Sequence, residues 1–225
     1  MMMTLEQHER LLEGARQLGI SLDERQCEQF ATFGSLLYEA NRFINLTRIP
    51  EDRMIELHFL DSLAVAKVVH FALGTRVLDV GTGAGFPGIP LAIAFPRVHF
   101  ALIDGTRKKV EFVCRVIKTL DLQNVVAFHV RAEDFAKIGT NLNAYDFAVA
   151  RAVAPLERLL PWLLPFVKSG GYAVAYKGVE VDAELDRAGG MVKAFSGSLD
   201  RVVTVTLPFI GIERKFVLVR KQSSS

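Results

Sequence analysis

Asp79-Val80-Gly81-Thr82-Gly83-Ala84-Gly85-Phe86 closes the short apolar run 76–80 and leads into a helix-length segment at 87–95. Glycines at alternate positions let the backbone turn sharply and approach a ligand where any Cβ would collide. In the dinucleotide fingerprint Gly-x-Gly-x-x-Gly the third glycine falls one residue later than Gly85. Such sites also rest a pyrophosphate on the N-terminus of the following helix, and here Pro87 removes one of that helix's donors. Asp79 sets a carboxylate before the glycines, where it repels phosphate and attracts an ammonium group. Asp104 ends the next apolar run, where a carboxylate accepts hydrogen bonds from ribose hydroxyls. A nucleoside that carries an ammonium group and no phosphate is S-adenosylmethionine, the cofactor this arrangement implies, with Asp79, Gly81, Gly83, Gly85 and Asp104 as its residues.

Downstream of residue 75, β-rich runs at 76–80, 99–104, 125–130, 145–150 and 172–176 alternate with helical segments at 87–95, 107–120, 132–138 and 156–167. That alternation predicts a parallel sheet covered by helices on both faces. After a further helix near 179–194, runs at 201–207 and 215–220 follow each other directly, which predicts an antiparallel pair. Upstream, Ser21-Leu22-Asp23-Glu24 has capping-box spacing, and Phe30, Phe33, Leu36, Leu37 and Ala40 recur at helical intervals. Pro50-Glu51-Asp52 suits a second helix start, continued by Met54, Ile55, Leu57, Leu60, Leu63 and Ala64. The expected fold is therefore α/β and Rossmann-like, that of a class I S-adenosylmethionine-dependent methyltransferase. Its seven-stranded, mostly parallel sheet ends in an antiparallel hairpin. Residues 1–72 form an N-terminal helical extension or cap, and residues 73–222 the cofactor-binding domain.

Composition narrows the class. Half of the 225 residues are hydrophobic and 23% charged, the balance of a globular chain rather than a disordered one. A net charge of +2 does not by itself indicate nucleic-acid binding, so any such role needs a local basic patch. The apolar stretches 62–73 and 159–167 are too short to span a membrane, and residues 1–16 lack the apolar core of a signal peptide. A cytoplasmic, monomeric protein is expected. Cys27 and Cys114 match no metal pattern and read as buried free thiols; no metal site is expected.

Ligands of open α/β sheets bind beyond the carboxyl ends of the strands. Those ends carry Arg131-Ala132-Glu133-Asp134, Arg151 and Lys177-Gly178 in addition to the residues above. Glu133 and Asp134 are placed to face an adenine edge, and acids also suit a helix N-terminus. Arg107, Lys108, Lys109, Arg131, Arg151, Lys177, Arg214 and Lys215 suggest a cationic rim for a polyanionic substrate. Arg151 interrupts a small, apolar run where the acceptor should meet the methyl group, and with Lys177 is assigned to positioning. His58 and Asp61, one helical turn apart, can share a hydrogen bond. The segment Ala150-Arg151-Ala152-Val153-Ala154-Pro155 lacks the Asn/Asp-Pro-Pro-aromatic motif of exocyclic-amine methylation. Neither cysteine lies on the ligand edge as carbon-5 methylation of cytosine requires. An acceptor with a free lone pair, such as guanine N7, needs no general base, and none is evident. A methyltransferase for a small molecule or a protein, and a catalytically silent binding module, remain alternatives at this point.

The chain resembles the bacterial small-subunit ribosomal RNA guanine-N7 methyltransferases, also called the glucose-inhibited division protein B family. The resemblance rests on Asn45-Leu46-Thr47, His58, Asp61-Ser62, the block from Asp79 through Phe86-Pro87-Gly88-Ile89-Pro90, Arg151-Ala152, Lys177-Gly178 and Glu213-Arg214. It implies transfer from S-adenosylmethionine to N7 of one guanosine in the 530 loop of 16S rRNA, directly and without a covalent intermediate. The implied partner is that RNA, the small subunit or an assembly intermediate. Loss of the modification is associated in the family with low-level streptomycin resistance. Carried over by position, the cofactor residues are Gly81, Phe86, Ala132, Glu133 and Arg151. Leucine is frequent in the family where this chain has Phe86, and serine where it has Ala150.

Overall fold

The computed structural model describes residues 3–178 and 180–223. Seven strands, β1 (Arg76–Val80), β2 (His99–Asp104), β3 (Val125–His129), β4 (Tyr145–Arg151), β5 (Val167–Lys177), β6 (Gly197–Thr206) and β7 (Glu213–Lys221), form one sheet in the order β3-β2-β1-β4-β5-β7-β6. Strands β1 to β5 pair in parallel, and β7 runs antiparallel to both β5 and β6. The alternating pattern and the terminal hairpin are as the sequence predicts.

The central strands read as continuous apolar runs because both faces are covered. Val77, Leu102, Val149 and Leu218 enter one core, while their neighbours Leu78, Ile103, Ala148 and Val219 enter the other. Helices α1 (Leu5–Gln17) and α2 (Glu24–Asn41) lie over the first core, together with a helical stretch from Glu51 to Lys67. Leu11, Phe30 and Phe59 share that core with Phe86, Val149 and Leu218, so packing runs across residue 72 without a seam.

Several local elements differ from what the sequence predicts. The capping box of α2 is Asp23 with Gln26, not Ser21 with Glu24, and a second one, Thr4 with Gln7, opens α1. The segment after Pro50 is a 3-10 turn, a π-helix over Ile55–Leu60, a short α3 (Asp61–Leu63) and another 3-10 turn. Downstream lie α4 (Gly88–Ala94), α5 (Arg107–Thr119), α6 (Ala132–Phe135), α7 (Leu156–Leu163) and α8 (Asp182–Ala194). Val179, where the sequence starts the last helix, and Ser224 and Ser225 of the tail lie outside the described residues. Cys27 is buried as expected, but Cys114 is exposed on α5. No helix among the described residues is long and apolar enough to cross a membrane.

Candidate active site

The glycine turn is organised from within. Asp79 Oδ2 accepts hydrogen bonds from Thr82 Oγ1 at 2.7 Å and from Gly88 N at 2.9 Å, and ties the end of β1 to the first residue of α4. Gly81, Gly83 and Gly85 have φ of +72°, +60° and +98°, values that L side chains rarely adopt. A Cβ on Gly85 would come within 2.7 Å of Ile89, whereas at Gly83 nothing lies nearer than 4.0 Å, so that glycine faces open space. The N–H groups of Gly81 and Thr82 bond Ile103 O, that of Gly83 bonds Asp104 Oδ2, and those of Gly85 and Phe86 bond Thr82 O. With Gly88 N held by Asp79 and no N–H on Pro87, most donors of the turn are satisfied internally. That disfavours a pyrophosphate loop on broader ground than the missing donor of Pro87 alone.

Asp79 itself differs from expectation. It is 0% exposed, so it presents no surface to an ammonium group and acts by holding the turn; its Oδ1 is buried without a partner among the described residues. Burial raises its pKa to about 7 against the opposing pull of Thr82, Gly88 and Arg151.

Beside the turn a cavity of about 240 Å³ opens between the strand ends, lined by Gly81, Asp104, Ala132, Glu133, Val153 and Trp162 among others. Asp104 accepts from Gly83 N at 2.9 Å through Oδ2 and from Thr106 N at 2.7 Å through Oδ1, and each oxygen keeps a lone pair for a further donor. Ala132 and Glu133 open α6 at its rim. These residues fit a nucleoside: a glycine cradle, a carboxylate at ribose position and an apolar wall. A larger cleft of about 530 Å³ lies over β2 and β3, where the four-residue α6 leaves Val126 and Phe128 exposed. It holds neither the glycine turn nor a carboxylate.

Arg151 is gathered inward. Nη1 donates to Leu57 O at 3.1 Å and to Asp61 Oδ2 at 2.9 Å, and Nη2 donates to His58 Nδ1 at 3.2 Å. Asp61 Oδ1 takes Arg214 Nε at 2.7 Å, so one buried carboxylate bridges two guanidinium groups. His58 and Asp61 therefore do not bond each other; both face Arg151. Phe86 lies beneath, its ring 4.2 Å from that of His58 in a parallel stack and 4.9 Å from the guanidinium. At 5% exposure Phe86 floors Arg151 and does not line this cavity.

Lys177 is likewise engaged, with Nζ at 2.7 Å from both Ala154 O and Glu184 Oε2, while Glu184 also accepts from Leu156 N. It clamps the loop after β4, in which Ala152 has φ +55° and Val153 covers Gly81. The expected cationic rim is thus smaller than the sequence suggests: Arg151, Lys177 and Arg214 are tied inward, and Arg107 pairs with Glu111 at 2.9 Å. Ion pairing across 90 residues of chain, as between Asp61 and Arg151, carries no local sequence signal.

Burial, and secondarily the charge of Arg151, lowers the His58 pKa to about 3. The ring is neutral, with Nε2–H facing Thr47 Oγ1 at 2.7 Å while Nδ1 accepts from Arg151. Unfolded histidine binds a proton below about 6.5 and His58 in the fold does not until about 3, so its contribution to stability is lost as pH falls through that window. Asp79 acts oppositely: its unfolded carboxyl ionises near 3.8 and its folded one near 7, so stability is lost as pH rises between them. In urea titrations from pH 4 to 6.5, His58→Asn is expected to tilt stability downward with rising pH relative to wild type, and Asp79→Asn upward, each by up to ~1.4 kcal/mol per pH unit. Parallel curves for all three proteins would refute both assignments.

A parallel sheet with an antiparallel last strand, a glycine turn after β1 and a carboxylate closing β2 define a class I methyltransferase fold. Solved structures share it. A SAM-dependent methyltransferase from Aquifex aeolicus superposes with a TM-score of 0.54 at 23% identity, over 83% of this chain and 97% of that one. TYW2 of M. jannaschii in complex with AdoMet gives 0.54 at 16% identity, over 68% and 71%. The family model for rRNA small subunit methyltransferase G, GidB, matches residues 26–216. Proteins named ribosomal RNA small subunit methyltransferase G are 42% identical over 211 residues in Lachnoclostridium phytofermentans, covering 93% of this chain and 87% of the relative, and 42% identical over 214 residues in Pelotomaculum thermopropionicum, covering 95% and 90%. The chain belongs to the rRNA small subunit methyltransferase G family.

Proposed function

We propose that this protein transfers a methyl group from S-adenosylmethionine to N7 of a guanosine in the 530 loop of 16S rRNA, by direct in-line transfer without a covalent intermediate. The observation that carries the acceptor type is the absence of a free base among the described residues gathered round Arg151. His58 is neutral with both ring nitrogens engaged, Asp61 is held by two arginines, and Lys177 is paired. Guanine N7 offers its own lone pair, so no proton has to be removed before it attacks. The family membership and the relatives' names support RNA of the small subunit as the acceptor.

When bound, S-adenosylmethionine supplies a methyl group activated by its sulfonium. The chain's task is then placement and electrostatics. Asp104 would hold the ribose hydroxyls, the open backbone at Gly83 and the Gly81 backbone beneath Val153 would border the ligand, and Ala132 with Glu133 would meet the adenine edge. Arg151, whose Nε and one Nη2 hydrogen meet no acceptor among the described residues, orients the acceptor against the cofactor. Lys177 positions at one remove, through the loop that carries Val153.

The test is methyl transfer from labelled S-adenosylmethionine to small subunits and to naked 16S RNA from a strain lacking the enzyme, followed by chemical cleavage at N7-methylguanosine. A single cleavage in the 530 loop is expected. Cleavage elsewhere would refute the position, and label entering only protein or a small molecule would refute the acceptor.

A further inference from the structure

Phe43, just past the end of α2, is the most exposed large hydrophobic residue among those described, at 85%. Its loop is nonetheless built. Asn41 Oδ1 accepts from Leu46 N at 2.8 Å and Thr47 N at 3.0 Å, and its Nδ2 donates to Thr47 O, so one side chain closes residues 42–47. Ile44 and Leu46 turn into the core, while Arg42, Phe43, Asn45 and Arg48 face out. Thr47 is the partner of His58, which holds Arg151, and this ties the loop to the catalytic edge.

Across from the loop stands the first half of α5. Lys108, Phe112 and Arg115 recur at helical spacing on one face and enclose, with Phe43 and Ile44, a groove of about 330 Å³. Helix α5 starts immediately after Gly105 and Thr106, which line the candidate cofactor cavity, so one continuous segment leads from that cavity to the groove. The acid within it, Glu111, is paired with Arg107. Arg42, Lys108 and Arg115 form no ion pair with any described residue.

An exposed aromatic ring flanked by unpaired cations is how proteins take unpaired RNA, the ring stacking on a base and the cations holding phosphates. A second copy of this chain would bring like charges together on such a face. We propose that residues 42–48 and this face of α5 form an RNA-binding groove in which Phe43 stacks on an unpaired base and Arg42, Lys108 and Arg115 hold the flanking phosphates. The proposal rests on RNA being the acceptor, and it assigns the contact to particular residues.

Filter binding of 16S rRNA at several salt concentrations tests it, with calorimetry of S-adenosylmethionine as control. Phe43→Ala is expected to weaken RNA binding about tenfold or more and to raise the RNA KM, with cofactor affinity unchanged. Phe43→Trp restores binding, and Phe43→Leu, apolar without a π-face, does not. Arg42→Gln and Lys108→Gln each flatten the salt dependence by about one phosphate contact. Wild-type affinity in Phe43→Ala, or full rescue by leucine, would overturn the proposal. So would a change from dimer to monomer in sedimentation with RNA binding intact, which would make the groove a self-interface. Wild-type protein that binds RNA in this pattern yet methylates another acceptor would refute the proposed acceptor and leave the groove standing.

Discussion

Asp61→Ala is expected to lower the unfolding free energy by about 3–5 kcal/mol, a large share of the roughly 5–15 kcal/mol that holds a domain together. The Asp61 side chain is 3% exposed, and its two oxygens bond Arg151 at 2.9 Å and Arg214 at 2.7 Å. Removing it leaves two guanidinium groups, 12% and 23% exposed, facing each other across the space it filled. Most of the penalty comes from charge left without a counterion in a place water barely reaches, and less from the lost bonds themselves. Asp61→Asn keeps the volume and one acceptor oxygen, so its loss should be smaller but in the same direction. The shift in urea midpoint at constant slope measures both. An Asp61→Ala protein within 1 kcal/mol of wild type, set against the ~3 kcal/mol lower bound, would mean that the carboxylate does not bridge the arginines in solution. An apolar cluster of the same shape could be as stable as the ionic one. Stability alone therefore does not explain why a buried carboxylate joins two partly buried arginines at this edge, and the role proposed for Arg151 would.

What could be read from the sequence follows the reach of each interaction. The turn from Asp79 to Gly85 is contiguous, so its strand, its glycines and the helix after it are visible in a dozen residues. Strands β1 and β2 begin and end where the apolar runs do. Strand β5 begins earlier than the sequence suggests, since Val167 already pairs with Tyr145, and Lys168-Ser169-Gly170-Gly171 form an irregularity before pairing resumes at Tyr172 and Phe147. Cys114 is exposed because it falls on the solvent side of α5 between Val113 and Val116, a matter of helical phase that composition does not reveal. The site divides in the same way. Asp104 stands at the end of β2 where the sequence places it, and the structure adds that it pins Gly83. Asp79 reads as a ligand because it precedes the glycines, but the fold buries it. The links from Asp61 to Arg151 and Arg214, and from Thr47 through His58, join segments that only the folded sheet brings together.

Arg151→Ala should reduce methyl transfer by about 10²–10³-fold, the scale on which a preorganised charge at a reacting centre acts. Its effect on stability should be smaller than that of Asp61→Ala, because Asp61 keeps Arg214 as partner while Leu57 O, His58 Nδ1 and Asp61 Oδ2 each lose one donor. Activity and stability should thus rank the two variants in opposite order, which a purely structural role for Arg151 would not produce. Arg151→Lys sharpens the distinction. A lysine keeps the charge, but its single ammonium cannot reach Leu57 O, Asp61 and His58 together as the planar fork does while lying over Phe86. Most of the activity should therefore remain lost in the lysine variant. The measurement is kcat and KM for RNA with S-adenosylmethionine affinity determined separately by calorimetry. A fall confined to kcat would place Arg151 at the reacting atoms, and a fall confined to cofactor affinity would place it on the donor. Wild-type turnover in Arg151→Ala would remove it from the mechanism, and the buried Asp61 bridge would then need another reason to exist.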